Sequence, residues 1–198
     1  MALTAYLKLK GQKQGDIKGS VTQKGREGKI AVVAARHGLL SPRDAASGQA
    51  TGRRQHRAFM VTKELDAASP LLYALLVNNE NIAEWELQCW APQSKGGAGA
   101  GTEVQHYTVR LSNARLADIQ FVMADNRDPA LARLAATEEL SFTYSKIEWL
   151  WTAGGISTSD TWDTGASLGK PAARASSAKP AARKVAVKKT VKKTPRQA

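Results

Sequence analysis

The chain has 198 residues, with 29 lysines and arginines against 17 acids and a single cysteine, Cys89. One cysteine excludes an internal disulfide, and the longest unbroken apolar run, Leu71–Val77, is far short of the roughly 20 residues a membrane-spanning helix needs. Ten of the basic residues and none of the acids lie between 167 and 198, so residues 1–166 hold 19 basic and 17 acidic groups and are almost neutral.

The chain therefore divides into a body, residues 1–166, long enough for one domain with a full core, and a basic tail, residues 167–198. Every Trp, Tyr and Phe belongs to the body. The opening stretch Met1–Lys10 has no basic segment leading into an apolar one. The expectation is synthesis in the cytoplasm and, if the protein is exported, a route that reads the folded chain rather than a cleavable signal peptide.

Along the body the dominant period is two, which is the signature of half-buried strands. Leu3, Ala5, Leu7 and Leu9 alternate with polar neighbours from the start. Lys29–Arg36 is a β-branched run, and Ala58–Thr62 is a further strand. Ser69 offers a cap, Pro70 suits a first helical position, and Leu72, Leu75 and Leu76 make an apolar stripe, so one short helix runs to about Asn78-Asn79. Strands follow around Ala83–Trp90, Gln105–Leu111 and Arg115–Met123. The last, Glu139–Trp151, changes phase: Leu140, Phe142 and Tyr144 share one parity, Ile147, Trp149 and Trp151 the other. Either a bulge near Ser145-Lys146 or a strand passing between two sheets accounts for that. The fold class is mainly β, with one helix packed on or plugging a barrel.

Two connections stand out. Gly38–Gln55 is long and lacks clear periodicity, and loops of that length are uncommon unless they bind something or are disordered. Lys95–Thr102 is glycine-rich and reads as a hairpin tip. The tail repeats itself, with Lys170–Arg174 returning as Lys179–Arg183, and its charge and scarcity of bulky apolar groups predict disorder.

The search for chemistry returns little. His37, His56 and His106 lack ligand spacing with one another or with Cys89, so no metal site or cofactor is expected. Cys89 shares strand parity with Trp85 and Leu87 and reads as a buried thiol rather than a nucleophile. Gly165–Lys170 is one residue short of a phosphate loop and Pro171 follows it. Glu138-Glu139 reads as a solvated acidic pair. The knot Arg53, Arg54, His56 and Arg57 is either a solvated strand entry or a contact with an acidic neighbour. No enzyme is expected.

Several segments, taken in order, resemble the hemolysin-coregulated protein (Hcp) family, the tube proteins of bacterial type VI secretion systems. They are Asp16–Ser20, Arg26–Ile30 with Val32-Val33 and His37, Thr51-Gly52 before His56, Thr62–Asp66, Ser69–Tyr73, Lys146–Trp149 and Ser159–Trp162. The resemblance implies a two-sheet β-barrel with a helix at its side and hexameric rings stacked into a hollow tube. It also implies a contractile sheath around the tube, a spike at its tip and effector cargo in its lumen. Gly38–Gln55 matches the family's extended loop, associated with ring stacking, which makes Arg43, Asp44, Arg53 and Arg54 the candidate stacking contacts. A ring requires one face of the subunit to meet a different face of the next.

The chain departs from that family after about Thr164. The tail's Lys170, Arg174, Lys179, Arg183, Lys184, Lys188, Lys189, Lys192, Lys193 and Arg196 could neutralise phosphates or another anionic surface without reading sequence. All ten engaged on a duplex would give a log–log salt slope of about −9. A plain solubilising tail, a nucleic-acid-binding protein and a tail-bearing secreted effector remain as alternatives.

Overall fold

The computed structural model describes residues 3–92 and 103–162. The tail, the glycine-rich Lys95–Thr102 and the loop-like Gly165–Lys170 lie outside the described residues. In chain order the elements are β1 (Thr4–Gly11), β2 (Gly15–Ile17), β3 (Ile30–Val32), β4 (Ala34–Arg36), β5 (Leu39–Leu40), β6 (Gln55–His56), β7 (Phe59–Glu64), α1 (Ser69–Val77), β8 (Asn81–Pro92), β9 (Glu103–Ser112), β10 (Ala114–Val122), β11 (Thr137–Thr143), β12 (Lys146–Trp151) and β13 (Ile156–Thr161).

The pairings close a circuit. β8 pairs with β1, β1 with β3, β4 with β7, β7 with β11, β11 with β10, and β10 returns to the start of β8 through Ala114 and Arg115. All are antiparallel. The step from β3 to β4 is a single residue, Val33, whose amide bonds Thr62 O. The expected run Lys29–Arg36 is thus two short strands of one curled sheet, β3 pairing with β1 and β4 with β7. Asn113, at φ +50°, makes the matching corner between β9 and β10. On the free side of β9, β12 and then β13 extend the sheet.

The phase change in Glu139–Trp151 is a crossing and not a bulge. β11 ends at Thr143 against β7 and β10, while β12 begins at Lys146 against β9 and β13. Leu140, Phe142 and Tyr144 stay buried on one side of the crossing and Ile147 on the other. Bulges occur elsewhere, at Lys10/Gly11, Cys89/Trp90 and Leu116/Asp118. β13 escaped the periodicity reading because Ile156–Thr161 is almost all Ser, Thr and Asp, with no apolar alternation to detect.

Trp85 centres the core, with Phe59 and Phe142 edge-on to it at 4.9 and 5.6 Å. Leu7, Leu9, Ile30, Leu72, Leu75, Ile82, Leu140 and Ile147 complete the same cluster. Burial of this apolar surface is the main term holding the fold. Leu72 and Leu75 are the two helix residues that enter it; Leu76 packs partly, and Leu71, Tyr73 and Val77 face out.

Ser69 does not cap α1. Ala68 occupies the cap position and Pro70 the second helical one. The Ser69 hydroxyl instead donates to Glu138 Oε2 and accepts from Lys63 Nζ, while Asp66 Oδ1 accepts the Ala68 amide. Glu138 is correspondingly not solvated: it is 1% exposed and pairs at 2.8 Å with Lys63, itself fully buried. Asp66 holds the same ammonium at 3.0 Å. Lys63 lies on β7 directly opposite Glu138 on β11, so the pair needs both strands in register. Gly19 belongs to this corner: a β-carbon there would sit 2.7 Å from Asp66 Oδ2 and 2.6 Å from Lys29 O, so only glycine fits.

The outer face of β1, β8, β9 and β12 carries a row of opposed charges. Lys8 faces Glu86, Glu86 faces Arg110, and Arg110 faces Glu148, one residue per strand. Arg110 Nε donates to Glu86 at 2.7 Å, and Lys146 pairs with Glu148.

Candidate assembly surface

The long segment Gly38–Gln55 has regular backbone pairing despite its lack of sequence periodicity. It is a β-hairpin paired only with itself, Leu39 opposite His56 and Leu40 opposite Gln55, with a bridge further out between Arg43 and Ala50. Thr51 N bonds Pro42 O and Arg57 N bonds Gly38 O, so the pairing continues from base to tip. Nearly every residue from Leu39 to Gln55 is exposed, which makes it an arm standing off the barrel.

The four candidate stacking residues fall at different levels of the arm. Asp44 builds the tip: its Oδ1 accepts the amides of Ala46 and Ser47 and the Ser47 hydroxyl. Those bonds, the Ser47 amide first, hold its carboxyl below the usual carboxylate range. Arg43 donates to Gly48 O across the tip at 3.1 Å. Arg53 is exposed on the returning strand. Arg54 points inward at the base, where its guanidinium donates through two nitrogens to both oxygens of Asp160, and also to Thr161 O at 3.4 Å. The basic knot is therefore split between an exposed Arg53 and a clamped Arg54.

Behind Arg54 runs a relay. Asp160 Oδ2 meets His56 Nε2 at 3.2 Å, His56 Nδ1 meets the Tyr144 hydroxyl at 2.9 Å, and the same hydroxyl meets His37 Nε2 at 2.6 Å. A carboxylate can only accept, so Nε2 of neutral His56 carries hydrogen and Nδ1 accepts. Tyr144 then donates to His56 and accepts from Nε2–H of His37. The whole line is satisfied with both imidazoles neutral. Rings enclose it: His37 stacks on Phe59 at 5.2 Å and His56 on Trp162 at 5.4 Å.

Burial first, then the neighbouring His56, pushes the His37 pKa down. Burial first, then the Asp160 charge, pushes the Tyr144 hydroxyl up, so it stays protonated. Burial works against the Asp160 carboxylate, but the Arg54 bond and the Thr161 amide outweigh it and hold its pKa low. His37 and His56 are both hydrogen-bonded, and the relay ties both strands of the arm to the β11–β12 crossing and to β13. Sequence alone could not find it, because its bonded partners lie up to 107 positions apart.

Beside Tyr144 and Trp162 lies an open depression of about 770 Å³ at the corner where β1 ends and β8 and β10 begin. Gln12, Asn81, Asn113, Arg115, Thr143 and Ser145 surround it, and among the described residues no Asp or Glu lines it. Cys89 is half-buried, not fully buried as its parity predicts, because the inward alternation gives way where Gln88 is buried and the register shifts after Cys89. Burial pushes its thiol pKa up, which disfavours the nucleophilic thiolate. Among the described residues no three metal-donor side chains converge, and no helix is long and apolar enough to cross a membrane.

Comparison with known proteins gives a consistent result. The family described as "Type VI secretion system effector, Hcp" matches residues 6–151. The "Major exported protein" of Pseudomonas aeruginosa is 37% identical over 171 residues, spanning 82% of this chain and 96% of its own. Hcp1 from E. coli EAEC 042 superposes with a TM-score of 0.70 at 35% identity, over 81% of this chain and 99% of its own. Secreted protein Hcp3 from Pseudomonas aeruginosa gives 0.65 at 30% identity, over 82% and 100%.

Proposed function

The chain belongs to the Hcp family of type VI secretion proteins, and from that premise we propose that it is a structural subunit of the secretion tube. It assembles as hexameric rings that stack, lies inside a contractile sheath beneath a spike, and leaves the cell without a cleavable signal peptide, carrying effector cargo in its lumen. The observation that carries this reading is the match over the whole barrel, to relatives covered along 96% or more of their length. Two of those relatives, the major exported protein and the secreted protein Hcp3 of Pseudomonas aeruginosa, support export.

The arm supports the reading in physical terms. It pairs only with itself, is held rigidly at the base by Arg54, His56 and Tyr144, and offers Arg43, Asp44 and Arg53 at or near its exposed end. A subunit that must bind copies of itself and later separate is served by polar, salt-sensitive contacts on a pre-organised element. Arg54 contributes by fixing the arm's angle.

The tail adds electrostatic attraction to an anionic partner, and six copies on one ring would act together if their reach allows. Its ten cations without a single acid favour non-specific nucleic-acid binding as the second reading. Electron microscopy of the purified full-length protein and of a truncation at Gly165 tests both. Rings and stacks in both forms, with secretion that depends on the sheath, support the tube. A chain that stays monomeric throughout and loses polynucleotide binding with its tail overturns the tube reading in favour of the second.

A further inference from the structure

We propose that copies of this chain meet head to tail through a socket and a plug at the two ends of β10: Arg115 in the open polar depression receives the carboxylates of the Asp125–Asp128 turn of the next copy. This deepens the tube reading and rests on it.

The socket is a cation among neutral polar groups. Arg110, on the strand before, is held by Glu86 at 2.7 Å, whereas Arg115 is exposed and has no ion pair among the described residues. The amides of Gln12, Asn81 and Asn113 and the hydroxyls of Thr143 and Ser145 surround it. Amides and hydroxyls both donate and accept, which matches a peptide turn with its own N–H and C=O groups. A small inorganic anion would use only the donors and would leave most of a 770 Å³ space empty.

The plug begins where β10 ends. Asp125 Oδ1 accepts the Arg127 amide at 3.0 Å and Asp128 Oδ1 accepts the Ala130 amide at 2.9 Å. Both aspartates are exposed, and each is held in the turn by a local bond to one carboxylate oxygen. Phe121, Val122, Met123 and Leu134 expose 47–62% of their surface around this turn, an apolar skirt that a partner would cover. Arg127 lies between the two acids and Arg133 follows them, so the attraction is short-ranged.

A chain cannot fill its own socket. At about 3.3 Å per residue, roughly 23 Å of strand separates Arg115 from Val122, beyond which the turn begins. Two copies displaced along β10 can join, and the pair then presents one free socket at one end and one free plug at the other. That is the heterologous contact a ring or a filament needs.

The test is a charge exchange in the full-length chain, read by sedimentation velocity over a concentration series with electron microscopy of the products. Arg115→Glu alone, and Asp125→Arg with Asp128→Arg, should each raise the concentration at which the protein assembles by about tenfold or more. The triple variant should recover most of that loss, which also shows that the altered chains fold. Single-side variants that assemble like the parent, or a triple variant no better than either, overturn the socket and leave the tube reading standing. A parent chain that never assembles overturns both.

Discussion

Replacing Tyr144 by Phe removes one oxygen and keeps the ring that stands edge-on to His56 and Trp162 at 5.7 Å. The lost hydroxyl is the middle of the relay, donating to His56 Nδ1 and accepting from His37 Nε2–H. His56 is 7% exposed and has nowhere else to turn. A buried polar group left unpaired costs about 1–3 kcal/mol. His37 is only half-buried and recovers part of its loss to water, so the total is about 2–3 kcal/mol. For a body of this size each kcal/mol moves Tm by roughly 2–4 °C, giving a drop of about 4–12 °C. Amide hydrogen exchange supplies the location: protection should fall at Leu39, Leu40, Gln55 and His56, at the arm's base, and hold at Trp85 and Leu87 in the core. A Tyr144→Phe protein that melts within 1 °C of the parent (an estimate well under the cost of one unpaired group) and keeps protection in the arm would refute the view that the relay anchors it.

Three further outcomes follow from the same geometry. Lys63→Met should cost about 3–5 kcal/mol in denaturant unfolding, because it leaves Glu138 in the interior without its ion-pair partner; a second change, Glu138→Leu, should recover much of it. The folded-state pKa of His37 is depressed, so its contribution is complete above the ordinary histidine value of about 6.5 and is lost as pH falls through the depressed one. Melts recorded from pH 7.5 down to 5 (roughly spanning that titration) should decline more steeply for the parent than for His37→Gln. Asp160 follows the carboxylate rule: its pairing with Arg54 persists above the ordinary Asp value of about 3.9 and is lost only below it. Asp160→Asn should therefore loosen the arm at neutral pH, seen as faster exchange at Gln55 and His56.

The strands that could be read from the sequence are those with one dry face. Ala83–Trp90 and Gln105–Leu111 alternate because Trp85, Leu87, Val109 and Leu111 all point into one core. The arm and β13 could not be read so, since neither buries an apolar side and their stability comes from backbone pairing and the relay. Glu138 was misread for the opposite reason. An acid beside an acid suggests water, and only the pairing of β7 with β11 brings Lys63 opposite it. Ser69 carried a helix-cap signal that was spent on the same ion pair. The candidate residues Arg43, Asp44, Arg53 and Arg54 came from one loop, and the structure divides them between its tip, its edge and its hinge.

The row formed by Lys8, Glu86, Arg110 and Glu148 bears on what can slide past this protein. Plus and minus alternate at the strand spacing of about 4.8 Å, so their fields cancel within roughly that height above the sheet. A passing polypeptide, whether acidic or basic, finds nothing there to hold it and nothing to repel it. Such a surface is electrically blank, and adding salt would change it little, because its ions have already been neutralised by one another.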